Sequence, residues 1–228
     1  MTRNRLWQGL RRFRDTDRGL SILLALLVIV VFVLPAASTP RVDARFAGDL
    51  AFSALLIAGA VATSERRWVR FAVAALVAAA LLVRWVANAA PADSFAIWRE
   101  ASTLVTLLAF AAVVAAEVFR RGAVNHHRIL GAVAVYLLIG LAWASAYELL
   151  HFVRPGAFSG ALAAEPVPQT WIYYSFVTLT TMGYGDITPV HPVARSLAIA
   201  EALIGQLYLA ITLARLVSLR ESASDHRK

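Results

Sequence analysis

Cysteine is absent from the 228 residues. That removes disulfides, thiolate metal ligands and cysteine nucleophiles, and it leaves the compartment open. Acidic residues are few, 14 against 22 lysines and arginines, for a formal charge of +8. Methionine occurs only twice. Residues 102–116 hold no basic side chain at all. No Ser/His/Asp grouping, His-Glu-x-x-His run or pair of membrane aspartates occurs, so an intramembrane enzyme is discounted. No internal repeat, low-complexity tract or folded extramembrane domain is visible.

What the chain does have is apolar length. Hydrophobic residues make up 60%, with a mean hydropathy of +0.67, where an ordinary soluble domain is about 45–50% apolar. Apolar runs of roughly 17 residues or more recur, long enough to cross a bilayer. An isoelectric point near 10.7 in a soluble protein would suggest nucleic acid as partner. Here the arginines cluster between apolar segments, so the expected partner is the lipid bilayer and not nucleic acid.

Six spans are predicted, over 20–37, 48–64, 69–88, 98–119, 128–150 and 193–218. The linkers alternate in charge. Sixteen of the 22 basic residues fall in the N-terminal segment, in the gaps after the second and fourth spans, and at the C-terminal end. The positive-inside rule then places both termini in the cytoplasm of a multi-pass plasma (inner) membrane protein. Trp68, Trp85, Trp98, Trp143 and Trp171 sit near span ends, where interfacial aromatics are expected. The basic leader, the apolar run 20–34 and "PAAS" also resemble a signal peptide. The leader is long and the run is at the upper length limit, so a retained helix is expected. The division is then a basic cytoplasmic N-terminus (1–19), a four-helix transmembrane domain (20–122), a helix–loop–helix unit (123–218) and a tail (219–228).

Residues 151–192 do not form another full span. His151 to Pro168 holds Pro155, Pro166 and Pro168 and reads as a loop. "QTWIYYSFVTLT", residues 169–180, is apolar and aromatic but short. At ~1.5 Å per residue, twelve residues cover about 18 Å, too little for a ~30 Å hydrocarbon core. It therefore reads as re-entrant, followed by the return strand "TMGYGD". Non-helical backbone at membrane depth survives only when buried in protein or lining a water-filled path, so this arrangement implies a pore.

"TTMGYGD", residues 180–186, resembles the selectivity-filter signature of tetrameric potassium channels, usually Thr-Val-Gly-Tyr-Gly-Asp. The preceding aromatic pair Tyr173–Tyr174, the pair Thr180–Thr181 and the following "ITPV" agree with it. So does Gly205, nineteen positions after Asp186, where the family often has a hinge glycine. The resemblance covers about residues 128–218, whereas residues 1–122 match by helix count alone. It implies an all-α membrane protein with six transmembrane helices, and a pore helix and filter loop between the fifth and sixth. One filter strand per chain cannot surround an ion, so a homotetramer is implied.

Carbonyls of Thr181, Met182, Gly183 and Tyr184, with the Thr181 hydroxyl, are then expected to replace the hydration shell of potassium. Gly183 and Gly185 permit the backbone angles this needs. Potassium is the permeant ligand, and no cofactor is expected. Tyr184 should turn away from the ion and wedge against Tyr173 and Tyr174. By the same resemblance Asp186 accepts a hydrogen bond from Tyr173, and Thr180 supports the filter.

Glu201 lies inside the last span, one turn before Gly205. It is either hydrogen-bonded to pore-helix groups or a satisfied acid between helices. Gln206 aligns with a cavity position. Leu209, Leu213 and Val217 continue that face, as a hydrophobic constriction or as ordinary packing. Glu148 is a tether from the outer helix to the pore or an interfacial acid. His126, His127 and His151 read as solvated interfacial histidines, since adjacent helix positions point about 100° apart and share an ion poorly.

Three features depart from the family pattern. Met182 replaces valine or isoleucine, and its flexible side chain braces a strand less rigidly than a β-branched one. The fourth span lacks the regularly spaced arginines of voltage sensors, so strong voltage gating is not expected. No nucleotide- or calcium-binding module follows the last span, so gating by a fused domain is not expected, and an accessory subunit is left unspecified. The function expected is passive, potassium-selective conduction. A less selective cation channel and a non-conducting sensor or scaffold on a channel fold remain as alternatives. A potassium transporter is disfavoured, because related uptake proteins carry four covalent pore repeats and this chain has one.

Overall fold

A computed structural model describes residues 21–37, 53–55, 67–89, 95–119, 126–164, 166–167 and 169–225. Side chains at 34, 67–70, 87–89, 117, 126–128 and 216–225 lie outside that description. The basic N-terminal segment also falls outside it. So does the expected second span, 48–64, apart from residues 53–55, which are helical.

The first helix, α1, runs through residues 21–37 and widens to a π-turn over Ile29–Val33 before Leu34–Ala37. Pro35 explains the widening. It has no N–H to donate, and its ring crowds the carbonyl four residues back. Helices α2 (Arg67–Ala89), α3 (Ala96–Val118) and α4 (His126–Val153) follow. Each overlaps an expected span. One buried cluster joins all four, with Leu23 and Leu27 of α1, Val73 and Val77 of α2, Leu107 and Phe110 of α3, and Val135 and Leu138 of α4.

After α4 the chain makes strand β1 (Phe158–Ser159), the short helices α5 (Ala161–Ala164) and α6 (Thr170–Leu179), strand β2 (Thr188–Pro189) and the long helix α7 (Pro192–Asp225). Strands β1 and β2 are antiparallel, with Phe158 opposite Pro189 and Ser159 opposite Thr188. They clasp the two sides of the loop that contains α6. Pro192 opens α7, a position where its missing N–H costs nothing.

Three helices among the described residues are long and apolar enough to cross a membrane: Ala96–Ala116, Ile129–Val153 and Pro192–Arg215. Two shorter apolar helices cover Ser21–Val33 and Phe71–Val86. Helix α6 has 10 residues, about 15 Å at a helical rise, and cannot cross. The Ile129–Val153 segment is 61% buried and the Pro192–Arg215 segment 17%. Thus α4 is the central helix of the chain, and α7 leaves most of its surface open to lipid or to other copies.

Two glycines admit α6 between these helices. A Cβ on Gly140 of α4 would come within 2.5 Å of the Phe176 ring. A Cβ on Gly205 of α7 would meet the Leu179 carbonyl oxygen. Gly205, expected as a hinge, thus has a packing reason of its own: α7 and the end of α6 touch backbone to backbone. Gly140→Ala and Gly205→Ala are each expected to destabilise the fold by about 1–3 kcal/mol through overpacking. Gly205→Ala should cost more, because a carbonyl cannot swing aside as a ring can. Thermal denaturation of the detergent-solubilised protein measures this, and an unchanged midpoint for Gly205→Ala would show that the helices have room to part.

Candidate functional site

The C-terminal end of α6 makes the site. Helix carbonyls in the last turn have no helical partner, and here the following backbone folds back onto them. Thr180 donates to the Phe176 carbonyl through both its amide (3.1 Å) and its hydroxyl (2.6 Å). The Thr181 amide donates to the Thr178 carbonyl at 2.9 Å. The amides of Met182 and Gly183 both reach the Val177 carbonyl, at 2.9 and 3.3 Å.

From there the strand alternates. Thr181, Gly183 and Gly185 have φ of +59°, +56° and +80°, whereas Met182 and Tyr184 between them have negative φ. Alternation of left- and right-handed conformations directs successive N–H groups to one side and carbonyls to the other. A β-branched residue such as Thr181 at positive φ is strained, and such strain clusters at functional sites. Thr181, Met182, Tyr184 and Asp186 are all exposed in the single chain.

Beside the strand, the Tyr173 and Tyr184 rings stack at 6.4 Å and 5°. The Tyr173 hydroxyl donates to Asp186 Oδ2 at 2.6 Å, and Asp186 Oδ1 accepts the Ile187 amide at 3.1 Å. A phenol keeps its proton at neutral pH, so Tyr173 is the donor and Asp186 the acceptor. Tyr174 is placed otherwise than expected. It does not join the Tyr173–Tyr184 stack but turns inward, its ring 4.8 Å from Tyr147 and 5.4 Å from Phe158. Neighbouring residues on a helix point about 100° apart, which puts the two tyrosines of the pair on different faces.

That inner face carries an aromatic cluster. Phe158 lies 4.8 Å from Trp171 and 5.7 Å from Tyr147, and His151 lies 5.1 Å from Trp171. Trp171, expected at an interface, is 2% exposed, because α6 turns it against β1. His151 is half-buried against the same indole rather than solvated. His126 and His127 have side chains outside the description. No group of three metal-ligating side chains occurs among the described residues.

Glu201 is fully buried on α7. Its Oε2 lies 2.5 Å from the Tyr147 hydroxyl and its Oε1 2.5 Å from the Ser175 hydroxyl. Tyr147 and Ser175 were not singled out from the sequence. Both sit in apolar helices, 54 and 26 residues from Glu201, and no local pattern marks them. Glu148 lies 3.7 Å from Arg99 on α3, and Arg99 also bonds the buried Glu100 at 2.9 Å. Gln206, Leu209 and Leu213 share one exposed face of α7 in the single chain. The side chain of Val217 lies outside the description.

Residues 135–221 match the "Ion channel" family. The chain is 37% identical over 107 residues to "Two pore potassium channel c" of Oryza sativa subsp. japonica, covering 46% of this chain and 22% of that protein. It is 34% identical over 74 residues to "Inward rectifier potassium channel Kirbac3.1" of Paramagnetospirillum magnetotacticum, covering 32% and 22%. It is also 37% identical over 82 residues to "Protein LctB" of Geobacillus stearothermophilus, covering 34% and 60%. The chain thus spans about a fifth of the length of the first two relatives. The short helix, the strand of alternating φ sign and the apolar helix α7 up to residue 221 all lie within the matched residues. Over residues 135–221 the chain is thus similar to the ion-channel family, and over part of its length to potassium channels.

The β1–β2 clasp ties the loop before α6 to the strand after it. The Val190 and His191 amides donate to the Ala157 carbonyl at 3.0 and 3.1 Å, and a Cβ on Gly160 would meet the Asp186 carbonyl. Gly160→Ala is expected to open the clasp and speed amide exchange at Val190 and His191. Gly156→Ala, also at positive φ but beside open space, carries backbone strain without that clash, so a smaller rise in exchange at those two amides is expected. Equal exchange in both variants would show that the clasp does not depend on this close approach.

Proposed function

We propose that the chain forms a homotetrameric, potassium-selective channel of the plasma (inner) membrane that conducts passively, with both termini cytoplasmic. The observation that carries this reading is the left-handed φ at Thr181, Gly183 and Gly185 in a strand that returns from a helix too short to cross. Such a strand offers a row of carbonyl oxygens, and four copies about an axis replace the waters of a dehydrated cation. Exposure of Met182 and Tyr184 in the single chain, and of Ile199, Leu203, Leu207 and Ile211 on α7, supports burial of these surfaces against neighbouring copies. Six transmembrane helices per subunit, with residues 20–122 as a collar around the pore unit 123–218, complete the architecture.

Within this reading Thr181, Met182, Gly183 and Tyr184 hold potassium, and Gly185 lets the strand leave the ion path. Tyr173, Tyr174, Thr180, Asp186 and Glu148 support the strand or its surroundings. Gly205 bends, and Gln206, Leu209, Leu213 and Val217 line the cavity and its cytoplasmic constriction. A less selective monovalent cation pore is the second reading, favoured by Met182. No cofactor takes part.

Recording from purified protein in lipid bilayers under bi-ionic potassium and sodium, with barium as blocker, tests both readings. A reversal potential set by potassium, and block by barium, are expected. A reversal near zero would favour the less selective pore, and no flux at all a non-conducting scaffold. Met182→Val is expected to raise the potassium-to-sodium permeability ratio or slow inactivation, since a β-branched side chain braces the strand. Identical behaviour would leave the methionine without a special role.

The conductance–voltage relation should be shallow. Each charge carried across the field contributes ~2.3 kcal/mol per 100 mV, and residues 102–116 carry none that is basic. A steep relation without added blocking ions would refute this.

A further inference from the structure

Glu201 sits where three helices meet. It is 0% exposed on α7, with Tyr147 of α4 at one carboxyl oxygen and Ser175 of α6 at the other, both at 2.5 Å. Ser175 Oγ is also 2.7 Å from the carbonyl oxygen of Gly140 on α4. The result is an unbroken chain of oxygens: Tyr147 Oη, Glu201 Oε2, Glu201 Oε1, Ser175 Oγ, Gly140 O.

The protons can be counted. Each of the three contacts, Tyr147–Glu201, Glu201–Ser175 and Ser175–Gly140, brings two oxygens to hydrogen-bond distance and needs one proton between them. The Tyr147 and Ser175 hydroxyls carry one each, and a carbonyl carries none. Two protons cannot serve three contacts. The third resides on the Glu201 carboxyl. Tyr147 then donates to Oε2, the carboxyl donates from Oε1 to Ser175, and Ser175 donates to Gly140.

Burial agrees with the count. Among the described residues Glu201 forms no ion pair. The titratable groups within electrostatic reach of it are Tyr136 and Tyr147 from α4 and Tyr174 from α6, all neutral phenols. An ionised carboxylate would have no cation here to offset its desolvation.

We infer that Glu201 is a positioning residue for the conducting strand, and that it acts as a neutral acid completing the relay Tyr147–Glu201–Ser175–Gly140. The inference rests on the channel reading for its functional consequence. Ser175 stands two residues before Val177, whose carbonyl anchors the amides of Met182 and Gly183. The relay fixes α6 to α4 and α7 at that point, so a shift of Ser175 is delivered to the strand almost directly. Tyr147 and Ser175 are the other members of the device, and a glutamine at 201 reproduces it. Its amide nitrogen donates to Ser175 and its oxygen accepts from Tyr147, with all three contacts kept.

The test compares wild type with Glu201→Gln, Glu201→Leu, Tyr147→Phe and Ser175→Ala, each purified as the full chain. In liposomes under bi-ionic conditions, Glu201→Gln is expected to match wild type in permeability ratio. Tyr147→Phe and Ser175→Ala should lower the potassium-to-sodium ratio roughly three- to tenfold, the size of one lost hydrogen bond. Glu201→Leu should lose selectivity further, or fail to assemble. Infrared difference spectra supply the readout that a merely structural role would not move. Wild type should show a protonated-carboxyl C=O stretch at neutral pH that is missing in Glu201→Gln and shifted in Tyr147→Phe.

A carboxylate band in place of that stretch, or a Glu201→Gln protein that assembles but has lost selectivity, overturns the inference. Tyr147→Phe and Ser175→Ala proteins with unchanged permeability overturn it as well. If wild type carries no current, the channel reading fails by itself. The infrared comparison, with the thermal midpoints of Glu201→Gln and Tyr147→Phe, still decides the relay.

Discussion

Backbone that leaves a helix loses its hydrogen-bond partners, and the structure around residues 181–187 is organised by the need to replace them. Three consecutive amides, those of Thr181, Met182 and Gly183, return to the Thr178 and Val177 carbonyls of α6. The first three N–H groups of the strand are thereby satisfied within the chain. Asp186 does the same at the far end, taking the Ile187 amide and the Tyr173 hydroxyl on its two oxygens. The carbonyl side is left over. A cation in the proposed pore supplies what the protein withholds from that side, and the glycines at 183 and 185 make the alternating hand possible without crowding.

The weight then falls on α6. A helix of 10 residues is marginal by itself in water, and its order comes from its neighbours. Gly140 and Gly205 open the slot it occupies. Trp171 and Tyr174 bury their rings against Phe158 and Tyr147. Ser175 reaches Glu201 and Gly140. The β1–β2 pairing closes the loop around it. These contacts come from α4, α7 and the preceding loop, so the strand inherits its geometry from the whole C-terminal unit.

The sequence made some of this legible and hid the rest, for reasons that differ by residue. The "TMGYGD" strand is local chemistry: glycines at alternate positions, after a helix too short to cross, leave few other arrangements. The Tyr173–Asp186 bond spans thirteen positions within one loop and follows from the family pattern. Tyr174 reads as the second half of the same pair, yet helical rotation of about 100° sends it to a different face. Tyr147 and Ser175 are invisible in sequence because hydroxyls recur on both helices, Thr170, Tyr173, Tyr174, Ser175 and Thr178 on α6 alone, and no spacing marks which of them reaches Glu201. Gly205 was recognisable as a special glycine. Its contact with the Leu179 carbonyl is a three-dimensional fact that no one-dimensional spacing contains.

Helix α3 shows how the missing gating charges bear on the rest. Its described charged side chains, Arg99 and Glu100, lie near its start and are held in fixed contacts there. At one end Arg99 bridges Glu100 and Glu148, tying α3 to α4. At the other, the Arg215 guanidinium of α7 donates to the Phe119 carbonyl, just past the end of α3, and lies 5.0 Å over the Phe119 ring. A cation at the C-terminal end of a helix is where the helix dipole favours it. Phe119 also meets Tyr208 edge-on at 6.4 Å, and the Tyr208 hydroxyl donates to Ala132 of α4 at 2.7 Å. An electric field therefore finds no ladder of basic residues on α3 to move. Arg215 and Tyr208 join α7, the helix that bears Gln206, Leu209 and Leu213, to the end of α3 and to α4. Among the described residues, packing and helix-end contacts connect α3 to the C-terminal helices.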